Sequence, residues 1–239
     1  MKYLKSYEQI FEGSITGQSV YDACEKLLSS TSLWQSLRND FDRSIQLEID
    51  TESDRTADAH FDLKQSTPER VVVQMARLPM GKKDKGSLAH ELVHVLQHLS
   101  GSEGDLPFIT DATRDINELS DHPTWERIVY AIYLSCPQEC ESWQAGNIYY
   151  RHKILDEMIP WMQNFDPAKV AEELSGVIPD PNQWEISSFE EFPRFWSDAY
   201  EAYNEVKKDS DIPNLRDLEL KEFLSHYDGL FKRAAKLLS

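Results

Sequence analysis

The sequence predicts an α+β fold: a small, mostly antiparallel sheet packed on one helix, followed by a largely helical C-terminal region. Three observations point there. Three short segments between residues 44 and 76 carry strand-like patterns. A strongly apolar stretch, Gly86 to Leu99, then reads as a helix. From Pro123 onward the apolar residues recur at helical spacing.

Taken in order, residues 17–38 form helix, with Val20, Cys24, Leu27 and Leu28 on one face. Leu33, Trp34 and Leu37 continue that face after a break at Ser29-Ser30-Thr31. Ser44–Asp50 and Ala57–Leu63 alternate apolar and polar residues, the signature of half-buried strands. Arg70–Ala76 is β-branched and apolar. Gln65–Glu69, with Pro68 inside it, joins the last two as a hairpin loop. A Gly/Lys loop from Gly81 to Gly86 leads into the next helix, which Ser87 can cap and Gly101 can end. A polar loop occupies Ser102–His122. Pro123 opens a helix with Trp125, Ile128, Val129, Ile132 and Tyr133 on its apolar face. Ser135-Cys136-Pro137-Gln138 fits a capping box with proline in the first turn, starting a helix that runs to about residue 153. The remainder is mostly helical, broken at Pro179, Pro181, Pro193 and Pro213. Its aromatic residues, from Trp161 to Tyr200, read as core. These patterns give a domain over 1–153 and a helical region over 154–239 packed on it.

Composition narrows the function. A net charge of −17 argues against a nucleic-acid surface, because phosphate contacts need clustered Lys and Arg. The one basic cluster, Lys82-Lys83-Asp84-Lys85, is short. No apolar run approaches the length that spans a bilayer, and the first residues lack a signal-peptide core. Three cysteines, Cys24, Cys136 and Cys140, make no disulfide framework and read as small core residues. A cytoplasmic protein with no nucleic-acid or membrane partner is the expectation.

The chemistry lies in His90-Glu91-Leu92-Val93-His94. Four residues advance a helix by about one turn, so His90 and His94 share a face and can grip one metal ion. Glu91 then stands beside that ion as a base for a bound water, the HExxH arrangement of zinc hydrolases. Leu88, Ala89, Leu92, Val93, Val95, Leu96 and Leu99 surround it, and buried His and Glu on such a helix need partners or a metal.

A catalytic zinc normally takes three protein ligands. His98 lies about 12 Å along the helix from His90, whereas ligand bonds are about 2 Å, so both cannot hold one ion with His94. The position ten residues after His90 is Ser100, and position 97 is not glycine, so a ligand beyond a glycine turn is absent. A carboxylate on a later helix is left. Tyr133–Ala145 supplies Glu139 and Glu141, which cannot both face the ion, since positions two apart on a helix point about 200° apart.

HExxH followed by Glu-x-x-small on a second helix resembles the gluzincin group of zincin metallopeptidases. The resemblance covers roughly residues 44–150 and rests on His90, Glu91, His94 and the Glu139–Ser142 pair, with Ser where Ala is usual. It implies a zincin-like fold, one Zn2+ per chain held by His90, His94 and Glu139, and Glu91 as the catalytic base of peptide hydrolysis. It also implies a peptide or protein substrate paired with an upstream edge strand, for which Arg70–Ala76 is the candidate. Asp111, Asp115 and Asn117 could orient the imidazoles. Tyr149, Tyr150 and His152 read as packing rather than as oxyanion donors. The alternative is a metal-stabilised, inactive interaction protein on the same scaffold, which would have no use for Glu91.

Overall fold

A computed structural model describes residues 19–51, 59–76, 81–101, 123–174 and 220–239. Its elements are α1 (Val20–Leu27), α2 (Ser32–Leu37), β1 (Gln46–Asp50), β2 (Ala59–Phe61), β3 (Arg70–Met75), α3 (Lys82–Leu99), α4 (Pro123–Ser135), α5 (Pro137–Asn147), α6 (Lys153–Gln163), α7 (Pro167–Leu174) and α8 (Leu220–Leu238). They belong to two compact units, one of residues 1–103 and 141–152, the other of residues 104–140 and 153–239. The continuous helix α5 carries the division within it.

In the first unit the sheet has the order β1-β3-β2. β1 pairs parallel with β3, from Gln46↔Arg70 to Asp50↔Gln74, and β2 pairs antiparallel with β3, with Phe61 opposite Val73. The sheet is therefore mixed, not mostly antiparallel. Alternation in a strand tells which face is buried, but it carries no record of direction or neighbour. Arg70–Met75 is the central strand, which corrects its expected place at an edge. Val71, Val72, Val73, Gln74 and Met75 are all buried, so both faces of this strand are covered.

Leu47, Ile49, Phe61, Val71, Val73 and Met75 join Leu88, Leu92, Val93 and Leu96 of α3 and Val20, Cys24 and Leu27 of α1 in one apolar core. Each such side chain contributes roughly 1.5–3 kcal/mol when fully removed from water. Ser19 caps α1 through its hydroxyl, which accepts from Asp22 N at 3.1 Å. Thr31 caps α2 in the same way, so Ser29-Ser30-Thr31 does break the first helical region.

The hairpin loop before β3 is organised by Asp62. Its carboxylate accepts from the Lys64 and Gln65 amides and from the side chains of Gln65 and Gln74. Burial pushes this carboxyl upward, but the hydrogen bonds from Gln65 and Lys64, with the charge of His60, outweigh it and hold the group below its ordinary range.

α3 begins earlier than its apolar pattern indicates. Gly81 is the N-cap and Asp84 accepts from its amide at 2.9 Å, so Lys82–Gly86 are helical and not a loop. Ser87 consequently caps nothing; its hydroxyl donates to Lys83 O. Gly101 follows the helix with φ of 67°, the left-handed conformation that glycine adopts without penalty.

The second unit is helical among its described residues. Leu155, Met158, Ile159 and Met162 form the buried stripe of α6, and Leu224, Tyr227, Phe231, Ala235 and Leu238 that of α8. α8 packs on α4, α6 and α7, with the Phe165 and Phe231 rings 4.8 Å apart. Ser135 donates back to Ala131 O instead of capping α5. α5 ends at Asn147, short of residue 153. The three cysteines are buried and form no disulfide. No helix of the described residues is long and apolar enough to cross a membrane. The loop expected over 102–122 and the proline breaks from Pro179 to Pro213 lie outside the described residues, as do the aromatic residues between Trp184 and Tyr200.

Candidate metal centre

His90 and His94 stand one turn apart on α3, as their spacing dictates. Their Nε2 atoms are 3.1 Å apart and their rings meet edge to face, with centroids at 4.8 Å. Glu139 lies in the first turn of α5. The three side chains form a group whose ligand atoms all lie within 4.8 Å of one another. Glu139 and His94 are buried, at 4% and 8% exposure, so this carboxylate and imidazole are removed from water.

Small residues on one face of α5 bring it against α3. Ser142 is fully buried, with its hydroxyl 3.4 Å from His94 Nδ1, and Ala145 is buried one turn later. A Cβ built on Gly146 would sit 3.0 Å from Gly86 O and 3.6 Å from His90 Cβ. A Cβ on Gly86 would sit 3.0 Å from Gly146 O. The two backbones therefore touch where both residues lack side chains. Glu139, three residues before Ser142, occupies the same helical face.

His94 is held from behind. Its Nδ1 is 3.0 Å from Gln97 Oε1, and Gln97 Nε2 donates to Glu141 Oε2 at 3.3 Å. Glu139 is thus the carboxylate brought to the two histidines, while Glu141 engages Gln97. Asp111, Asp115 and Asn117, candidates for orienting an imidazole, lie outside the described residues. Gln97 was legible in principle. It is a polar residue in an apolar helix, three positions after His94 and hence on its face.

Glu91 is fixed by the sheet. Its Oε2 accepts from Phe61 N at 2.8 Å. Asp62 N donates inward to Val72 O, so ladder alternation turns the main-chain groups of Ala59 and Phe61 away from β3. The outer edge of β2 thus borders Glu91. No sequence pattern signals a side chain meeting a backbone amide thirty residues away.

His90 rests against Trp143, at 5.1 Å between ring centroids, and Trp143 against His152 at 5.7 Å. Tyr150 meets His152 at 5.5 Å. Tyr149 donates to Leu27 O at 2.8 Å and so packs α1, as expected of it. The His98 ring meets Phe61 edge to face at 5.5 Å and stands outside the candidate ligand group. The Tyr130 phenol is pushed up to about 12 by burial and then by the Glu139 charge, so it stays neutral at physiological pH.

The spacing of the donor atoms is compatible with one bound metal ion. Two imidazole nitrogens bonded at about 2.0–2.1 Å to a tetrahedral ion stand roughly 3.3 Å apart, close to the 3.1 Å here. Two imidazoles and a carboxylate, two of the three buried, form a group that could hold a metal ion. Comparison with known proteins adds no name: no family model, curated protein or solved structure matches this chain.

Proposed function

We propose that this chain is a zinc-dependent peptidase of zincin-like architecture. His90, His94 and Glu139 hold one ion, and Glu91 is the general base. The observation that carries this reading is the convergence of the three ligand atoms within 4.8 Å beside a glutamate held to a strand edge. A zinc ion held there supplies Lewis acidity and brings the pKa of water towards neutrality. Glu91, anchored at Oε2, takes a proton from the attacking water with its other oxygen and returns it to the leaving amine. The buried Glu139 offsets the charge of the ion without competing for that proton.

An extended peptide pairs in this reading with the outer edge of β2, through the main-chain groups of Ala59 and the carbonyl of Phe61. β2 replaces Arg70–Ala76 as the substrate strand, because the latter lies between two partners.

The test is metal analysis joined to cleavage of a peptide library. Wild type should carry about one zinc per chain and cleave; Glu91→Gln should keep the zinc and lose cleavage. A chain that binds no zinc refutes the reading. Zinc with equal behaviour of wild type and Glu91→Gln leaves only a metal-stabilised scaffold.

A further inference from the structure

We infer that Glu141 and Gln97 are positioning residues that set the tautomer of His94, and so decide which imidazole nitrogen faces Glu139 and His90 with a lone pair. The inference rests on His94 acting as a metal ligand, but its geometry stands by itself.

An ionised carboxylate only accepts hydrogen bonds, whereas a carboxamide has one accepting and one donating end. Glu141 Oε2 lies 3.3 Å from the Gln97 amide and therefore selects its NH2 end. The opposite end, Oε1, is then the one presented to His94 Nδ1 at 3.0 Å. An oxygen in that place requires hydrogen on Nδ1. Neutral imidazole carries one ring hydrogen, so Nε2 keeps its lone pair and points at His90 Nε2, 3.1 Å away.

Reversing the Gln97 amide would put a donor against Nδ1, drive the hydrogen to Nε2, and block the ligating atom. Gln97 is 2% exposed and His94 8% exposed, so water has little room to correct a reversed amide. Ser142 Oγ, 3.4 Å from Nδ1, can accept from it and can also donate. The carboxylate of Glu141 is the one member of this chain of contacts that cannot reverse.

Three variants test this. Glu141→Gln keeps size and removes the one-way acceptor. Gln97→Leu removes the relay. Gln97→Glu with Glu141→Gln moves the carboxylate next to His94, where it still requires hydrogen on Nδ1. The first readout is nitrogen-15 NMR of the histidine rings in metal-stripped protein. The second is zinc affinity by chelator competition.

Wild type should show His94 with hydrogen on Nδ1. Glu141→Gln should show the Nε2–H form in part and bind zinc about tenfold more weakly. Gln97→Leu should lose roughly 10–100-fold, the range for partners of ligating histidines. The double variant should recover the Nδ1–H form and zinc affinity to within about threefold of wild type. Hydrogen on Nε2 in wild type would overturn the inference, as would a Glu141→Gln spectrum identical to wild type or a folded double variant that recovers neither property. If wild type binds no zinc, the metal reading fails while the ring spectra still decide the relay.

Discussion

Gly146→Ala should destabilise the protein, while the same change at Gly229 should stabilise it. In a helix, alanine is favoured over glycine by about 0.8–1 kcal/mol. At Gly229, on an exposed stretch of α8, an added Cβ meets nothing within 4 Å, so the full gain should appear. At Gly146 the Cβ would lie 3.0 Å from Gly86 O, a backbone atom in the second turn of α3 that cannot turn aside. The helices must separate by a few tenths of an ångström, and overpacking of this kind costs about 1–3 kcal/mol. The propensity gain is also reduced there, because Gly146 is the penultimate residue of α5.

The net expectation is a loss of roughly 0.5–2 kcal/mol for Gly146→Ala, set against a gain of about 0.5–1 kcal/mol for Gly229→Ala. Urea unfolding of each variant against wild type measures both. Zinc affinity gives a second reading, since the new Cβ also falls 3.6 Å from His90 Cβ and should disturb that ligand. If Gly146→Ala stabilised the protein as much as Gly229→Ala, with zinc affinity unchanged, the close crossing of α3 and α5 would be wrong, and with it the account of how Glu139 reaches the histidines.

Glu139→Ala should cost more than about a hundredfold in zinc affinity, beyond what supporting residues give; a smaller loss than that of Glu141→Gln would exchange their roles. Asp62 sets an acid limb of stability. Its folded pKa lies below the unfolded value of about 3.9, so its contribution is present above that value and is lost as pH falls through the folded one. Wild type should therefore exceed Asp62→Asn in stability at neutral pH, with the gap closing in acid; a gap constant from neutrality to about pH 2 would deny Asp62 this role. Gly101→Ala should cost about 1–2 kcal/mol in urea unfolding, because φ of 67° places a Cβ against the neighbouring carbonyl; no loss would mean that α3 ends differently.

The helical spacing of His90 and His94, the positions of the three strands and the Gly101 stop were legible because each follows from a local period or a single backbone demand. What escaped the sequence was non-local. β1 runs parallel to β3, yet Gln46–Asp50 would alternate identically in either direction. β3 is central, but the apolar run Val71-Val72-Val73 records only that both faces are buried, not which strands flank it. The start of α3 was obscured because Lys82, Lys83 and Lys85 resemble a solvated loop, while the Asp84 contact to Gly81 that begins the helix needs three dimensions to be seen. Glu139 and Glu141 were nearly equivalent by composition. Their difference came from Ser142, Ala145 and Gly146, whose small size selects the face of α5 that meets α3.

That selection is one of three controls on the candidate centre. An HExxH helix places two nitrogens and a carboxylate along one chain segment, but it controls neither ring tautomer nor the direction of Glu91. Here three separate contacts supply those controls. The Gly86–Gly146 crossing sets the depth of α5, the Gln97–Glu141 pair sets the hydrogen on His94, and the Phe61 amide sets Glu91. The first acts by exclusion of volume, the second by hydrogen-bond polarity and the third by the edge of the sheet. Because they share no residue, their substitutions should separate in experiment. Glycine variants should move stability and metal affinity together. Relay variants should move affinity and ring tautomer with little change in stability beyond the lost hydrogen bonds. Phe61→Pro, which deletes the amide hydrogen on the outer side of β2 and also a core side chain, should lower stability and, in the folded fraction that retains zinc, lower turnover. A single hydrogen bond to a charged group is worth about 1.5–3 kcal/mol, so the expected loss is roughly 10–150-fold. Unchanged peptide cleavage by folded, zinc-loaded Phe61→Pro would show that Glu91 does not depend on the strand for its direction.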